Sequence, residues 1–288
     1  MTNFDAPFAE IERDFLARRV PLDSPGFYDH PNFMEVERAN PCYLNNYARY
    51  VHDRQRTPAY DEHVRQTVPI VARVFHEHLK ANGRLGACVD ISGMISRALE
   101  MEGIWNFVVK GSLTIEFPRE AKIAPKFFWS VDAGQFTAAH AWVVAPPYFI
   151  VDVAIRLQPY SEGEERYLPE VICSYAETLT TGTLDDVVSP EVRTCLAFMG
   201  IPKARQLSKA SPNTPNFMKV FPARLFKFGE TAMKFVPVAT TAPDTRFQDM
   251  CAMLFDGKTG FELYASDVKA ALAEARRAQP GSQQDAAR

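Results

Sequence analysis

The hydrophobic period of this chain changes at Gly103, from helical spacing to strand-like runs. Upstream, Asp61 to Ala81 sets Val64, Val68, Val71, Val74 and Phe75 at near-helical intervals and stops at Asn82-Gly83, a natural helix end. Cys88 to Met101 predicts a second helix, with Ile91, Ile95, Ala98 and Leu99 on its apolar side. Downstream, Trp105 to Phe117 (WNFVVKGSLTIEF) is rich in β-branched and aromatic residues and predicts a strand. Two further strands, His140 to Ala145 and Tyr148 to Ile155, are separated by a tight turn at Ala145-Pro146-Pro147. Strands joined by so short a connection run antiparallel. Such a chain has to lay helices against an antiparallel sheet, the α+β class.

The flanking segments are less regular. Ala9 to Arg19 has helical spacing, residues 20–42 hold four prolines and predict a loop, and Tyr43 to Arg54 predicts a helix. After the strands, Pro190 to Met199 predicts a helix and the proline-rich residues 202–222 a connector. Arg224 to Val238 reads as strands about a Gly229 turn, and Ser266 as the cap of a helix from Asp267 to Arg277. The expected organisation is a helical and loop region over 1–60, a core over 61–160, an extension packed on it over 161–278, and a disordered polar tail over 279–288. A chain of 288 residues can bury a core without disulfides or structural metal. Its five cysteines are scattered without a CxxC pair, which argues against a disulfide framework or zinc ribbon and suits a reducing compartment. A net charge of −3 argues against a general nucleic-acid binder. No leader pattern and no membrane-spanning apolar run is present, so a cytoplasmic location with no membrane partner is expected.

Cys88 opens the second predicted helix. A thiol there meets unpartnered backbone N–H groups and the positive end of the helix dipole, both of which favour a thiolate nucleophile. About fifty residues later comes Ala139-His140-Ala141-Trp142, followed by Asp152, an ionisable residue inside the apolar run Ile150-Val151-Asp152-Val153. If Val144 pairs with Tyr148 across a three-residue turn, His140 lies directly opposite Asp152, with Cβ atoms roughly 4.5–5.5 Å apart. The carboxylate then holds one imidazole nitrogen and leaves the other for the thiol, the nucleophile–base–orienter logic of a triad. A turn one residue shorter would put the two on opposite faces.

A glycine shortly before a Cys that opens a helix, the helix ending Ala98-Leu99-Glu100-Met101-Glu102-Gly103-Ile104, a strand, His140-Ala141-Trp142, and a strand bearing Val151-Asp152 together resemble the transglutaminase-like superfamily. The resemblance covers about residues 70–157. It implies a papain-like core, the nucleophile helix packed on the antiparallel sheet, with Cys88 as nucleophile, His140 as base and acid, and Asp152 as orienter. It also implies that Trp142 packs beneath the site, and that Asn82 joins the Cys88 N–H as oxyanion donor. The chain departs from the family where Val143-Val144-Ala145-Pro146-Pro147 lacks the usual acidic residue, and where Phe149-Ile150-Val151 replaces the usual Trp-Val. The related arylamine N-acetyltransferases share the triad, but Arg84-Leu85-Gly86-Ala87-Cys88 echoes only part of their motif. The activity implied is a cysteine hydrolase or acyltransferase working on an amide or isopeptide bond of a peptide or protein, with no cofactor and no metal. Two alternatives stay open: an inactive domain serving as a binding or scaffolding module, and acyl transfer from a small-molecule donor such as acetyl-CoA.

The other candidates read as structural. Cys42, Cys173, Cys195 and Cys251 have no companions and read as core or surface. His76 and His78, two residues apart on a helix, point to different faces and read as solvated surface rather than a metal site. Asp90 reads as helix-start acidity or an electrostatic neighbour of the thiol. Phe127, Phe128 and Trp129 either line a cleft or pack a long loop onto the core. Gly257-Lys258-Thr259-Gly260 lacks the full phosphate-loop spacing.

Overall fold

A computed structural model describes residues 7–278 apart from 134, 137 and 138, and the side chains of 135 and 136. The tail expected after 278 lies outside the described residues. The amino-terminal region holds three helices, α1 (Phe8–Ala17), α2 (Pro31–Ala39) and α3 (Leu44–Asp53). Helix α2 falls where the prolines predict loop. Pro31 is its first residue, where a missing N–H costs nothing, and the His30 ring accepts from the Asn32 N–H. Next come α4 (Pro58–Asn82), closed by Gly83 in the left-handed conformation, and α5 (Cys88–Met101). The strands are β1 (Phe107–Glu116), β2 (Lys126–Phe128), β3 (Val131–Asp132), β4 (Gln135–Phe136), β5 (His140–Ala145), β6 (Tyr148–Asp152), β7 (Ile172–Ser174) and β8 (Leu179–Thr180). Helices α6 (Leu184–Val187), α7 (Pro190–Phe198), α8 (Lys203–Ala210) and α9 (Thr214–Val220) precede the hairpin β9 (Ala223–Phe228) and β10 (Thr231–Thr241). Residues 202–222 are thus two helices rather than a connector, with Pro202 and Pro215 at helix starts. The last helix begins earlier than Ser266: α10 (Gly260–Leu263) starts under a Thr259–Glu262 capping box and runs through a π turn into α11 (Lys269–Ala278). The Ser266 hydroxyl lies within that turn and donates to the Glu262 carbonyl.

One antiparallel sheet runs in the order β7-β6-β5-β1-β10-β9-β8. Its spine is β1, paired along one edge with β10 from Val108↔Thr241 to Glu116↔Ala232. The opposite edge is shared. β5 takes Phe107 to Gly111, β2 takes Leu113 to Ile115, and Ser112 falls in the split between them. Residues 161–278 therefore supply a central strand as well as packing on the core. Helices α4 and α5 cover one face, where Phe75, Ile91 and Leu99 meet Val108, Val143 and Val151. The amino-terminal helices cover the other, where Phe15, Tyr47 and Trp105 share a core with Trp142, Ile150 and Phe235. Each large side chain buried this way contributes roughly 1.5–3 kcal/mol.

Two residues hold these layers in place. Gly111 has no room for a side chain, since a Cβ there would sit 2.4 Å from the Trp142 ring and 2.4 Å from the Val236 carbonyl oxygen. Arg97 of α5 donates to the carboxylates of Asp29 and Glu100 and to the carbonyls of Pro243 and Thr245, joining both ends of the chain through one helix. Burial pushes the Glu100 carboxyl up to about 7, despite Arg97 and the Tyr28 hydroxyl that donates to it.

Gly111→Ala is expected to cost roughly 1–3 kcal/mol by overpacking, read as a lower urea midpoint; an unchanged midpoint would mean that Trp142 does not rest on β1. Glu100 favours the folded state when neutral. Its contribution is fully present below the ordinary carboxylate range and is lost as pH rises through about 7. Between about pH 5 and about pH 8, wild-type urea midpoints should fall more steeply than those of Glu100→Gln. Parallel slopes would sink the assignment.

Candidate active site

Cys88 is the first residue of α5, so the N–H groups of 88, 89 and 90 have no carbonyl within the helix to bond. The turn before it is fixed by Gly86, at φ +70°, whose N–H donates to the Leu157 carbonyl at 2.9 Å. One turn into the helix, the Ser92 hydroxyl donates to the Ala141 carbonyl at 3.2 Å. These two bonds pin the amino-terminal end of α5 beside the start of β5 and the residues after β6.

His140 and Asp152 meet there. His140 Nε2 lies 2.6 Å from Asp152 Oδ2, and Oδ1 accepts the Ala154 N–H at 2.9 Å. Their pairing arises by a different register from the one expected. β5 and β6 are joined by a two-residue turn, with Ala145 opposite Tyr148, and not by three residues with Val144 opposite Tyr148. That shorter turn alone would separate the two side chains. An irregularity between Val143 and Ala145 adds one residue back, and pairing resumes at Val143↔Val151. Parity is restored, so Asp152 becomes a diagonal neighbour of His140 on the same face, still within side-chain reach.

Strand alternation places His140 and Asp152 with Trp142 and Ile150, whereas Ala141, Val143 and Val151 belong to the core under α5. Sulfur and imidazole therefore come from opposite sides of the sheet and meet at its end, where β5 begins and β6 finishes. Burial pushes the His140 imidazole down, but the charge and hydrogen bond of Asp152, and then the Cys88 sulfur, outweigh it and carry it up to about 10. His140 Nδ1 is buried and makes no hydrogen bond of good geometry, and the Cys88 sulfur is the remaining neighbour acting on the ring. With Nε2–H donated to Asp152, a neutral ring presents Nδ1 as the proton acceptor, a tautomer assigned from the bonding pattern.

The Trp142 ring stacks on that of His140 at 6.3 Å between centroids. Phe235, at 6.1 Å, and Phe128, at 6.2 Å, enclose the imidazole further, and Tyr160 packs on Phe128. The aromatic cluster divides by alternation: Phe128 faces the site, while Phe127 and Trp129 stack on each other at 5.4 Å. Asn82 does not join the site. It is an exposed helix-end residue whose amide donates to the Leu254 carbonyl at 2.8 Å, tying down the carboxy-terminal segment. Asp90 pairs with Arg84 at 2.7 Å. His76 is a correction, being 3% exposed rather than solvated. Its Nδ1 lies 2.9 Å from the Val153 carbonyl, next to Asp152, and its Nε2 is buried without a partner. The signal for this was present, since Ala72, Phe75 and Leu79 put it on the buried face of α4.

Cys42 and Cys173 are half-buried, the latter pushed up to about 12 by burial, and Cys195 and Cys251 are exposed. Among the described residues no group of three or more His, Cys, Asp or Glu is placed to hold a metal, and no helix is long and apolar enough to cross a membrane. No family model, curated protein or solved structure matches the chain.

The raised His140 pKa depends on Asp152. In proton NMR the wild-type His140 ring should stay charged up to about pH 10, and in Asp152→Asn its titration should fall well below that, because burial is then opposed by the Cys88 sulfur alone. The stability that this pair supplies is fully present below the ordinary histidine range and disappears as pH rises through about 10. A ring whose titration ignores the substitution would contradict the pairing.

Proposed function

We propose that this chain is a cysteine-dependent hydrolase or acyltransferase with a papain-like, transglutaminase-like core, acting on an amide or isopeptide bond of a peptide or protein. The observation that carries the reading is the buried His140 imidazole, held by Asp152 at 2.6 Å on one nitrogen, with the Cys88 sulfur as the other polar group acting on the ring.

The chemistry follows from those positions. In the resting site the proton given up by Cys88 already resides on His140 Nδ1, in the imidazolium that Asp152 favours, and the sulfur attacks the carbonyl carbon as the thiolate. The Cys88 N–H, free at the start of α5, donates to the oxyanion. The carbon–nitrogen bond breaks and the departing amine takes the imidazolium proton. Water or an incoming amine, giving its proton to His140, then attacks the thioester, the carbon–sulfur bond breaks, and the thiolate is released beside the recharged imidazolium. Asp152 holds the tautomer and stabilises the imidazolium throughout.

Burial favours a second reading, a binding module without turnover. Cys88 is 4%, His140 0% and Asp152 1% exposed. The two readings part on covalent chemistry. Incubation with p-nitrophenyl acetate should give one equivalent of rapid nitrophenol release and an acetyl adduct mapped to Cys88 by mass spectrometry. Cys88→Ala should abolish the adduct, and His140→Ala should slow its formation by about 10²–10⁴-fold. Acetylation of a different cysteine, with Cys88 unmodified, would discard the enzymatic reading.

A further inference from the structure

The His76 ring is buried on α4 and takes no part in the chemistry above. A carbonyl can only accept, so the 2.9 Å contact between Nδ1 and the Val153 carbonyl assigns the ring proton to Nδ1. Nε2 then keeps a buried lone pair with no partner among the described residues. A half-satisfied polar ring on an apolar helix face is less favourable than an apolar side chain of similar size. Packing therefore does not account for a histidine there, and the bond to Val153 is what the ring adds.

That bond ends on the peptide group that serves Asp152. The Val153 carbonyl and the Ala154 N–H are the two ends of one planar unit, and the Ala154 N–H donates to Asp152 Oδ1 at 2.9 Å. A chain of contacts thus runs from His76 Nδ1 through the 153–154 peptide to Oδ1, and from Oδ2 to His140 Nε2 at 2.6 Å. Hydrogen bonds in series inside a protein polarise one another. The residues that follow are held in the same manner. The Ala154 carbonyl accepts from the buried Gln158 amide at 2.8 Å, the Ile155 carbonyl from the Tyr160 hydroxyl at 2.7 Å, and the Leu157 carbonyl from the Gly86 N–H at 2.9 Å. Gly86 belongs to the turn before Cys88. Residues 153–157 therefore form a bracket with Asp152 at one end and the Cys88 turn at the other, and His76 fastens it to α4.

We infer that His76 is a positioning residue: by holding the 153–154 peptide it aims Asp152 at His140, and so sets how strongly that imidazole keeps its proton. The consequence for Cys88 rests on the enzymatic reading above.

Two substitutions in the full chain separate the bond from the bulk of the ring. The amide nitrogen of Asn lies one bond beyond Cγ, as Nδ1 does in His, whereas that of Gln lies one bond further, near the place of Nε2. His76→Asn should keep the bond to Val153 and His76→Gln should lose it. The readouts are the His140 titration by proton NMR and the rate of Cys88 acetylation by p-nitrophenyl acetate. His76→Asn should match wild type in both. His76→Gln should lower the His140 titration by about one pH unit or more and slow acetylation by about tenfold or more. Two variants that both behave as wild type, or that are both impaired alike, would overturn the assignment. In the first case the bond does nothing, and in the second the ring matters by its bulk. Near-UV circular dichroism reports whether each variant folds. If His76→Gln does not, His76→Asn decides alone: a wild-type titration upholds the role and a lowered one overturns it. A titration that responds as stated, with no acetyl adduct on wild-type Cys88, would keep the positioning role and remove the enzyme. Acetylation at one rate in all three proteins, with one titration, would do the reverse.

Discussion

A buried imidazole with a carboxylate at 2.6 Å costs a great deal to assemble, because either partner charged alone in an apolar layer would be destabilising by several kcal/mol. The surrounding structure is arranged around keeping the two together. His140 and Asp152 share a face only because the strand pairing skips a residue between Val143 and Ala145. Asp152 is fixed a second time by the Ala154 N–H, and the residue after it is held to α4 through His76. Beneath the ring, Trp142 can lie flat because Gly111 has no side chain, and Phe235 closes the same layer from a strand nearly a hundred residues later. The site therefore depends on the whole sheet, including the strand that the last third of the chain contributes.

What could be read from the sequence follows the range of the interaction responsible. Helix α5 matches its prediction at both ends, because its signals are local: a glycine turn before Cys88, an apolar stripe, and Gly103 beyond. β5 matches for the same reason. The meeting of His140 and Asp152 was legible as a partnership but not as a register. The expected three-residue turn and the observed two-residue turn with its irregularity are equivalent in parity, and parity is all that periodicity records. Asn82 shows the opposite case. Its position upstream of Cys88 suggested an oxyanion donor, but the partner of its amide lies 172 residues away, at Leu254. The proline-rich stretches were misread because Pro31, Pro202 and Pro215 stand at helix starts, where the ring's fixed φ helps instead of harming.

The split in the edge of β1 explains why the site is where it is. An edge shared by two partners must leave a gap, and here the gap falls at Ser112, between Gly111, opposite His140, and Leu113, opposite Phe128. Ser112 cannot pair as its neighbours do, and its hydroxyl bonds to that of Ser130 at 2.9 Å. The sheet thus ends locally beside His140 without exposing a free edge. This lets a side chain from one face and a helix terminus from the other come together.

The same geometry limits how the proposed substrate would reach the sulfur. On its own face of the sheet the imidazole is walled by Phe128, Trp142 and Phe235, all large rings in contact with it, and Asp152 occupies Nε2. A carbonyl carbon cannot arrive through that layer without unpacking the core. The amino-terminal end of α5 is different: Leu85 and Val89, close to Cys88 in the chain, are 54% and 36% exposed, and the N–H groups of the first turn have no carbonyl partner within the helix. On the proposed enzymatic reading, approach from that end would bring the carbonyl to the sulfur and the Cys88 N–H together. On that reading the burial of Cys88, 4% exposed, sets the order of events, since side chains must move before a substrate reaches the thiol.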